Sequence, residues 1–239
     1  MAGLVIEAIQ STLPLRRCST RLGANYVPPS GATPCSPAQL GVTQCPCAGM
    51  TDRTPYDAAV ATAARVFNGE PGAIRLHLAA RMADLAAAQR YEEAALVRDR
   101  LSALLTAVRR QQLLAALLAS DRCTVRRGGV SWVVDQGRLV DVTISGEVGR
   151  SLPVDPPEPP RVGRPLHRQQ VDEALCLAKY FDRHASRLDV VTCSGSWLFP
   201  LEAPTEMPRL DAQPVPVGVS ACPPASSRPA TSSTTTAPS

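Results

Sequence analysis

Aromatic residues are scarce, at 4% of the chain. Lysine is scarcer still, since Lys179 is the only one. The shortage of lysine beside plentiful arginine reads as a coding bias and not as a nucleic-acid signal. No clustered basic stripe of the kind that marks a committed nucleic-acid domain is evident. No apolar run approaches the roughly 20 residues of a transmembrane helix. The start, Met1-Ala2-Gly3-Leu4-Val5-Ile6-Glu7, has no cationic leader, and its apolar stretch is too short for a signal peptide. These absences point to a cytoplasmic protein, in which cysteines serve as thiols or metal ligands sooner than as disulfides.

What is present falls into four zones, which together predict an α+β fold. Residues 1–54 hold a short helix-like start and a cysteine- and proline-rich loop region. Residues 55–118 are strongly helical. Residues 121–203 show short strand-like runs, a proline-rich break (Pro153 to Pro165) and one more helix, and read as a small α+β unit. Residues 204–239 form a Pro/Ser/Thr-rich tail with too little apolar surface to order itself.

The helical zone carries the clearest periodicity. A first helix runs from Pro55 to Phe67 and ends at Asn68-Gly69. Pro71 then sits where a first helical turn tolerates proline. Ile74, Leu78, Met82 and Leu85 follow at spacings of four and three, on one face of a second helix. Gln89-Arg90-Tyr91 marks a tight turn. Ala94, Val97, Leu101, Leu104 and Val108 then line one seam of a third helix. Leu105, Leu113, Leu114, Leu117 and Leu118 add a second stripe. Two antiparallel helices with so short a turn make an αα-hairpin. Each helix covers only part of the other's apolar stripe, so the hairpin needs cover, either from its own chain or from a partner hairpin.

Farther on, Val130 to Val134 and Arg138 to Ile144, separated by Asp135-Gln136-Gly137, read as a β-hairpin. Gln170 to Asp182 reads as a helix. Leu188 to Thr192 reads as a strand with Trp197 packed behind it. Asp135, Asp141 and Asp189 suit turns and strand ends better than a metal site. His77, His167 and His184 are isolated and read as surface residues. Cys123, Cys176, Cys193 and Cys222 are scattered and read as small apolar residues or tail.

The stretch from Met82 through Gln89-Arg90-Tyr91-Glu92-Glu93-Ala94-Ala95 to Arg98-Asp99-Arg100-Leu101 resembles the UVR motif of UvrB and UvrC. The turn, the aromatic, the small pair and Arg-Asp all fall in register. The N-terminal zone is similar to the segment that follows the GIY-YIG nuclease domain in UvrC proteins. The matching residues are Val5-Ile6-Glu7-Ala8-Ile9, Leu13-Pro14-Leu15-Arg16-Arg17-Cys18, Pro34-Cys35, Leu40-Gly41 and Cys45-Pro46-Cys47-Ala48-Gly49. The resemblance covers roughly the first half of the chain in one unbroken order. It implies a place in the UvrC/Cho group of nucleotide excision repair proteins, whose intact members incise DNA by metal-assisted phosphodiester hydrolysis.

Carried over, the partner-binding surface comprises Met82, Leu85, Tyr91, Glu92, Ala94, Ala95, Arg98, Asp99 and Leu101. Tyr91 is its aromatic contact, and Arg98 with Asp99 is the charged pair that fixes the hairpin or meets the partner. UvrB, or another UVR-type hairpin, is the implied partner, and DNA is reached through the repair complex. Some UvrC proteins hold an iron–sulfur cluster in this cysteine region. The candidate ligands are Cys18, Cys35, Cys45 and Cys47, for such a cluster or for zinc. Four free thiols are the plainer reading.

The chain departs from the family pattern in three ways. The GIY-YIG catalytic core should lie upstream, and the chain is expected to begin after it, so no catalytic residue is assigned. The second nuclease half and the helix-hairpin-helix unit of full UvrC are not found, as in the short Cho-like members. Thr43 stands where the family's first paired cysteine belongs. A non-catalytic adaptor of the McsA or Clp type is a second reading, although paired Cys-x-x-Cys units are lacking. A truncated gene product is a third.

Overall fold

The computed structural model describes residues 1–18, 21–23, 25–49, 51, 53–145 and 168–202. The Pro153–Pro165 connector, the tail from 204, His167 and Cys222 lie outside these residues. The fold is α+β, as expected. Helix α1 spans Ala2–Thr12, and a single turn, α2, spans Ser36–Gln39. Three longer helices follow: α3 (Arg53–Phe67), α4 (Gly72–Ala87) and α5 (Tyr91–Ala119). Strands β1 (Arg122–Arg127), β2 (Val130–Asp135) and β3 (Arg138–Ile144) come next. Helix α6 (Arg168–His184) and strand β4 (Asp189–Cys193) follow, and short 3-10 turns lie at Pro46–Ala48 and Ala185–Arg187.

The predicted hairpin is present with its seams turned inward. Ile74, Leu78, Met82 and Leu85 of α4 are buried, as are Ala94, Val97, Leu101, Leu104 and Val108 of α5. The same core takes in Ala8 and Ile9 of α1 and Ala63 and Val66 of α3. The cover that the isolated hairpin lacks is therefore supplied by its own chain. A 2.9 Å ion pair from Arg100 to Glu7 also ties α5 to α1.

Helix α5 is 29 residues long, roughly 40 Å at 1.5 Å per residue. It serves two cores. Its N-terminal half belongs to the helical bundle. Its C-terminal stripe, Leu113, Ala116 and Leu117, is buried with Cys123 and Val125 of β1, Val134 of β2, and Ala174, Leu175, Ala178 and Phe181 of α6.

The sheet has the order β3-β2-β1-β4, and its neighbouring strands are all antiparallel. Both hairpin turns place two consecutive residues at positive φ: Gly128 (54°) and Gly129 (81°), then Gln136 (48°) and Gly137 (81°). That is the turn geometry whose twist matches a two-residue β-hairpin. Strand β1 is the element that periodicity does not reveal. Only Cys123 and Val125 point into its core, among arginines and a threonine.

The end of α5 is closed by the chain leaving β4. The amide of Gly195 donates to the carbonyl of Ser120 (3.2 Å), and that of Ser196 donates to the carbonyl of Ala119 (2.8 Å). These bonds satisfy carbonyls that a helix leaves without internal donors. The approach is so close that a Cβ on Gly195 would lie 2.1 Å from the Ala119 carbonyl oxygen. Gly195→Ala is therefore expected to force the two backbones apart and cost about 1–3 kcal/mol, the range for overpacking. Thermal melting of the variant checks this, and an unchanged midpoint would contradict it.

Candidate functional site

At the hairpin tip, the α4–α5 turn is made by Gln89, a non-glycine residue at φ 59°. The amide of Arg90 donates to the carbonyl of Leu85 (2.9 Å), which closes the end of α4. The Arg90 side chain then grips Glu93 through two contacts of 2.5 and 2.6 Å. With Glu92 and Glu93 in the first turn of α5, negative charge sits where the helix dipole favours it.

The residues read from the motif separate into two groups. Met82, Leu85, Ala94 and Leu101 are buried in the bundle core, and Ala95 is half-buried beside them. These residues hold the hairpin together. Tyr91, Glu92, Arg98 and Asp99 face solvent. Tyr91 is 65% exposed and Leu96 57% exposed, large values for apolar side chains on so well packed a pair of helices. Arg98 and Asp99 bind each other at 2.8 Å, both more than half exposed. They brace no other element through that pair, which leaves them free to meet a partner. A surface pair of this kind contributes about 0–1 kcal/mol to the fold itself.

The four N-terminal cysteines come together although the chain around them has little regular structure. The Sγ atoms of Cys45 and Cys47 are 2.9 Å apart. The thiol of Cys47 holds Cys45 below the ordinary thiol value, helped by the backbone and side chain of Cys35. Cys47 is pushed up to about 11, first by Cys45, then by burial and by Cys18. Arg16 donates to the sulfur of Cys18 at 3.7 Å.

Thr43, where the family pattern has a cysteine, is buried, and its hydroxyl donates to the carbonyl of Leu15. Beside it, the amide of Gln44 donates to the carbonyl of Pro14 (3.1 Å). Together these bonds pin the cysteine loop to the segment after α1. As a donor set, four soft thiols suit zinc or iron. Their arrangement is not that of ligands around an ion, however. Among the described residues, no group of three or more His, Cys, Asp or Glu is placed to hold one. The 2.9 Å contact is also shorter than the separation of about 3.8 Å that tetrahedral bonds of about 2.3 Å impose on two sulfurs.

The tip is thus a helical hairpin with its apolar seam filled from within and an aromatic and charges left outside. Residues 76–107 match the family described as UVR, the UvrB/uvrC motif. UvrABC system protein C of Natronomonas pharaonis is 36% identical over 102 residues, 43% of this chain and 17% of that protein. The protein of the same name from Halobacterium salinarum is 36% identical over 98 residues, 41% of this chain and 16% of its own length. That of Paramagnetospirillum magneticum is 35% identical over 99 residues, 41% of this chain and 15% of its own. The chain is UvrC-like over this region, and it spans about one sixth of the length of these relatives. No solved structure matches it significantly. No helix among the described residues is long and apolar enough to cross a membrane.

Proposed function

We propose that this chain is a nucleotide-excision-repair protein of the UvrC/Cho type that docks on UvrB, in the cytoplasm, through the tip of its α4–α5 hairpin. The observation that carries the reading is the exposure of Tyr91 on a hairpin whose own seam is already filled. The bundle has no further use for that ring. An exposed aromatic with charges beside it is the usual composition of a contact hot spot. The Arg98–Asp99 pair supplies orientation more than affinity. A pull-down with UvrB tests this. The wild-type chain is expected to be retained and Tyr91→Ala to be lost. Equal retention of both, or of neither, would contradict docking through this tip.

A second part of the proposal concerns the thiols. The soft donor set, not its present spacing, supports Cys18, Cys35, Cys45 and Cys47 as ligands of an iron–sulfur cluster or zinc, whose binding would part the 2.9 Å contact of Cys45 with Cys47. Such a group would order a loop region that has little regular structure of its own. Elemental analysis of the purified chain is expected to give stoichiometric metal that Cys47→Ser releases. Iron with sulfide would favour the repair relative, and zinc would favour the adaptor reading. A chain free of metal when purified without chelators would rule the ligand role out.

A further inference from the structure

Far along the chain from the hairpin tip, the C-terminal end of α6 gathers aromatic and basic side chains that neither the docking reading nor the thiol cluster uses. The rings of Trp132 (β2) and Tyr180 (α6) meet edge to face at 5.5 Å. Tyr180 also meets His184, one helical turn on, at 4.7 Å. Arg127, at the end of β1, donates to the Tyr180 hydroxyl at 3.1 Å, and its guanidinium lies 5.9 Å from the centre of that ring. Trp132 and Tyr180 are only half-buried, so the aromatic group reaches the surface.

Positive charge surrounds these rings. Arg183 and Arg187 are exposed, as is Lys179, which precedes Arg183 by one turn of α6. Partial burial and then Arg127, Arg183 and Arg187 hold His184 below the ordinary imidazole value, so the three guanidiniums act on one point. Among the described residues, none of these arginines pairs with a carboxylate. Of the nearby acids, Asp182 binds Arg109, while Asp189 at the start of β4 is exposed and stands opposite Arg126 in the β1–β4 register. What sets this place apart is the coincidence: three guanidiniums without carboxylate partners converge beside aromatic rings that reach the surface.

We propose that this end of the sheet unit binds single-stranded nucleic acid. Arg127, Arg183 and Arg187 would meet backbone phosphates, and Trp132 with Tyr180 would offer ring surface to a base. Guanidiniums suit phosphate through their planar fork of donors. Base stacking on aromatics is available only where bases are unpaired, and it tolerates any sequence. A duplex would engage the arginines alone.

The test is anisotropy of a labelled oligothymidine titrated with the full-length chain at several salt concentrations, with a duplex of equal length in parallel. Wild type is expected to bind the single strand more tightly than the duplex, and to weaken as salt rises. Arg183→Ala/Arg187→Ala is expected to bind at least tenfold more weakly. Its salt slope should be shallower by about 1.4, because each lost phosphate contact on a single strand removes about 0.7. Both arginines are exposed, so the variant is expected to melt like wild type. Arg65→Ala, on the exposed side of α3, is expected to leave binding unchanged. In a Trp197→Phe background, the emission of Trp132 should be quenched by the oligonucleotide. Absence of binding at low salt, equal affinity of the double variant and wild type, equal affinity for duplex, or unmoved Trp132 emission would each overturn the proposal.

Discussion

Phe181→Ala is expected to destabilise the sheet-bearing end of the molecule by about 3–5 kcal/mol, the cost of emptying a fully buried aromatic site, while the helical bundle holds. Phe181 has no exposed surface. Its ring is surrounded by Trp197 (5.4 Å), Phe199 (6.1 Å) and Tyr180 (6.3 Å). These partners come from α6 itself and from the segment after β4, so loss of the ring loosens several contacts at once. None of them belongs to the core built from Ile74, Leu78, Leu101 and Leu104. Both tryptophans, Trp132 and Trp197, lie at the sheet end, so their emission reports that end alone. In denaturant, the tryptophan transition of Phe181→Ala is expected to move to lower concentration and to precede the loss of helical circular dichroism. If the two signals shift together, the long α5 couples the two cores into one cooperative unit and the sheet end does not unfold separately.

The second large effect is expected at Asp182. Its carboxylate receives the guanidinium of Arg109 from α5, and both side chains are 19% exposed. Its other oxygen accepts the amide of Leu201 at 2.9 Å. Arg109 in turn donates to the carbonyl of Glu202 at 3.3 Å. One carboxylate thus joins α5, α6 and the last described segment. Breaking a buried pair by removing one partner costs about 3–5 kcal/mol, whereas an exposed pair contributes about 0–1. With one fifth of each side chain still in water, Asp182→Ala is expected to cost about 2–3 kcal/mol. Asp182→Asn should cost less, because its amide oxygen can still accept from Leu201. Thermal melts of the two variants check the order, and equal losses would mean that the Leu201 bond contributes nothing.

The helical half of this molecule is legible in its residue spacing because its contacts are local. The stripes of α4 and α5 are read directly from Ile74-Leu78-Met82-Leu85 and Val97-Leu101-Leu104-Val108, and Asn68-Gly69 marks the break between α3 and α4. The cover over those stripes is another matter. Ala8 and Ile9 lie more than 60 positions before Ile74, and no periodicity says whether they or a second protein will fill the seam. Leu113 and Leu117 stand out as a second stripe, but the sheet they pack on is assembled from residues 122–193. Strand β1 escapes notice because two apolar positions among three arginines give no alternation strong enough to read. At the candidate site, Tyr91 and the Arg98–Asp99 pair are recognisable from motif register. The cluster of Arg127, Trp132, Tyr180 and His184 has no local signature, since three separate elements bring it together.

The most direct measurement is the affinity of UvrB for the full-length chain against its Tyr91→Ala variant, by titration calorimetry, with both proteins shown to melt alike. Loss of an aromatic anchor at the centre of a contact typically costs about 2 kcal/mol or more, so binding is expected to weaken by at least tenfold. Equal affinities for the two chains would show that the exposed ring at the hairpin tip is not where the partner sits.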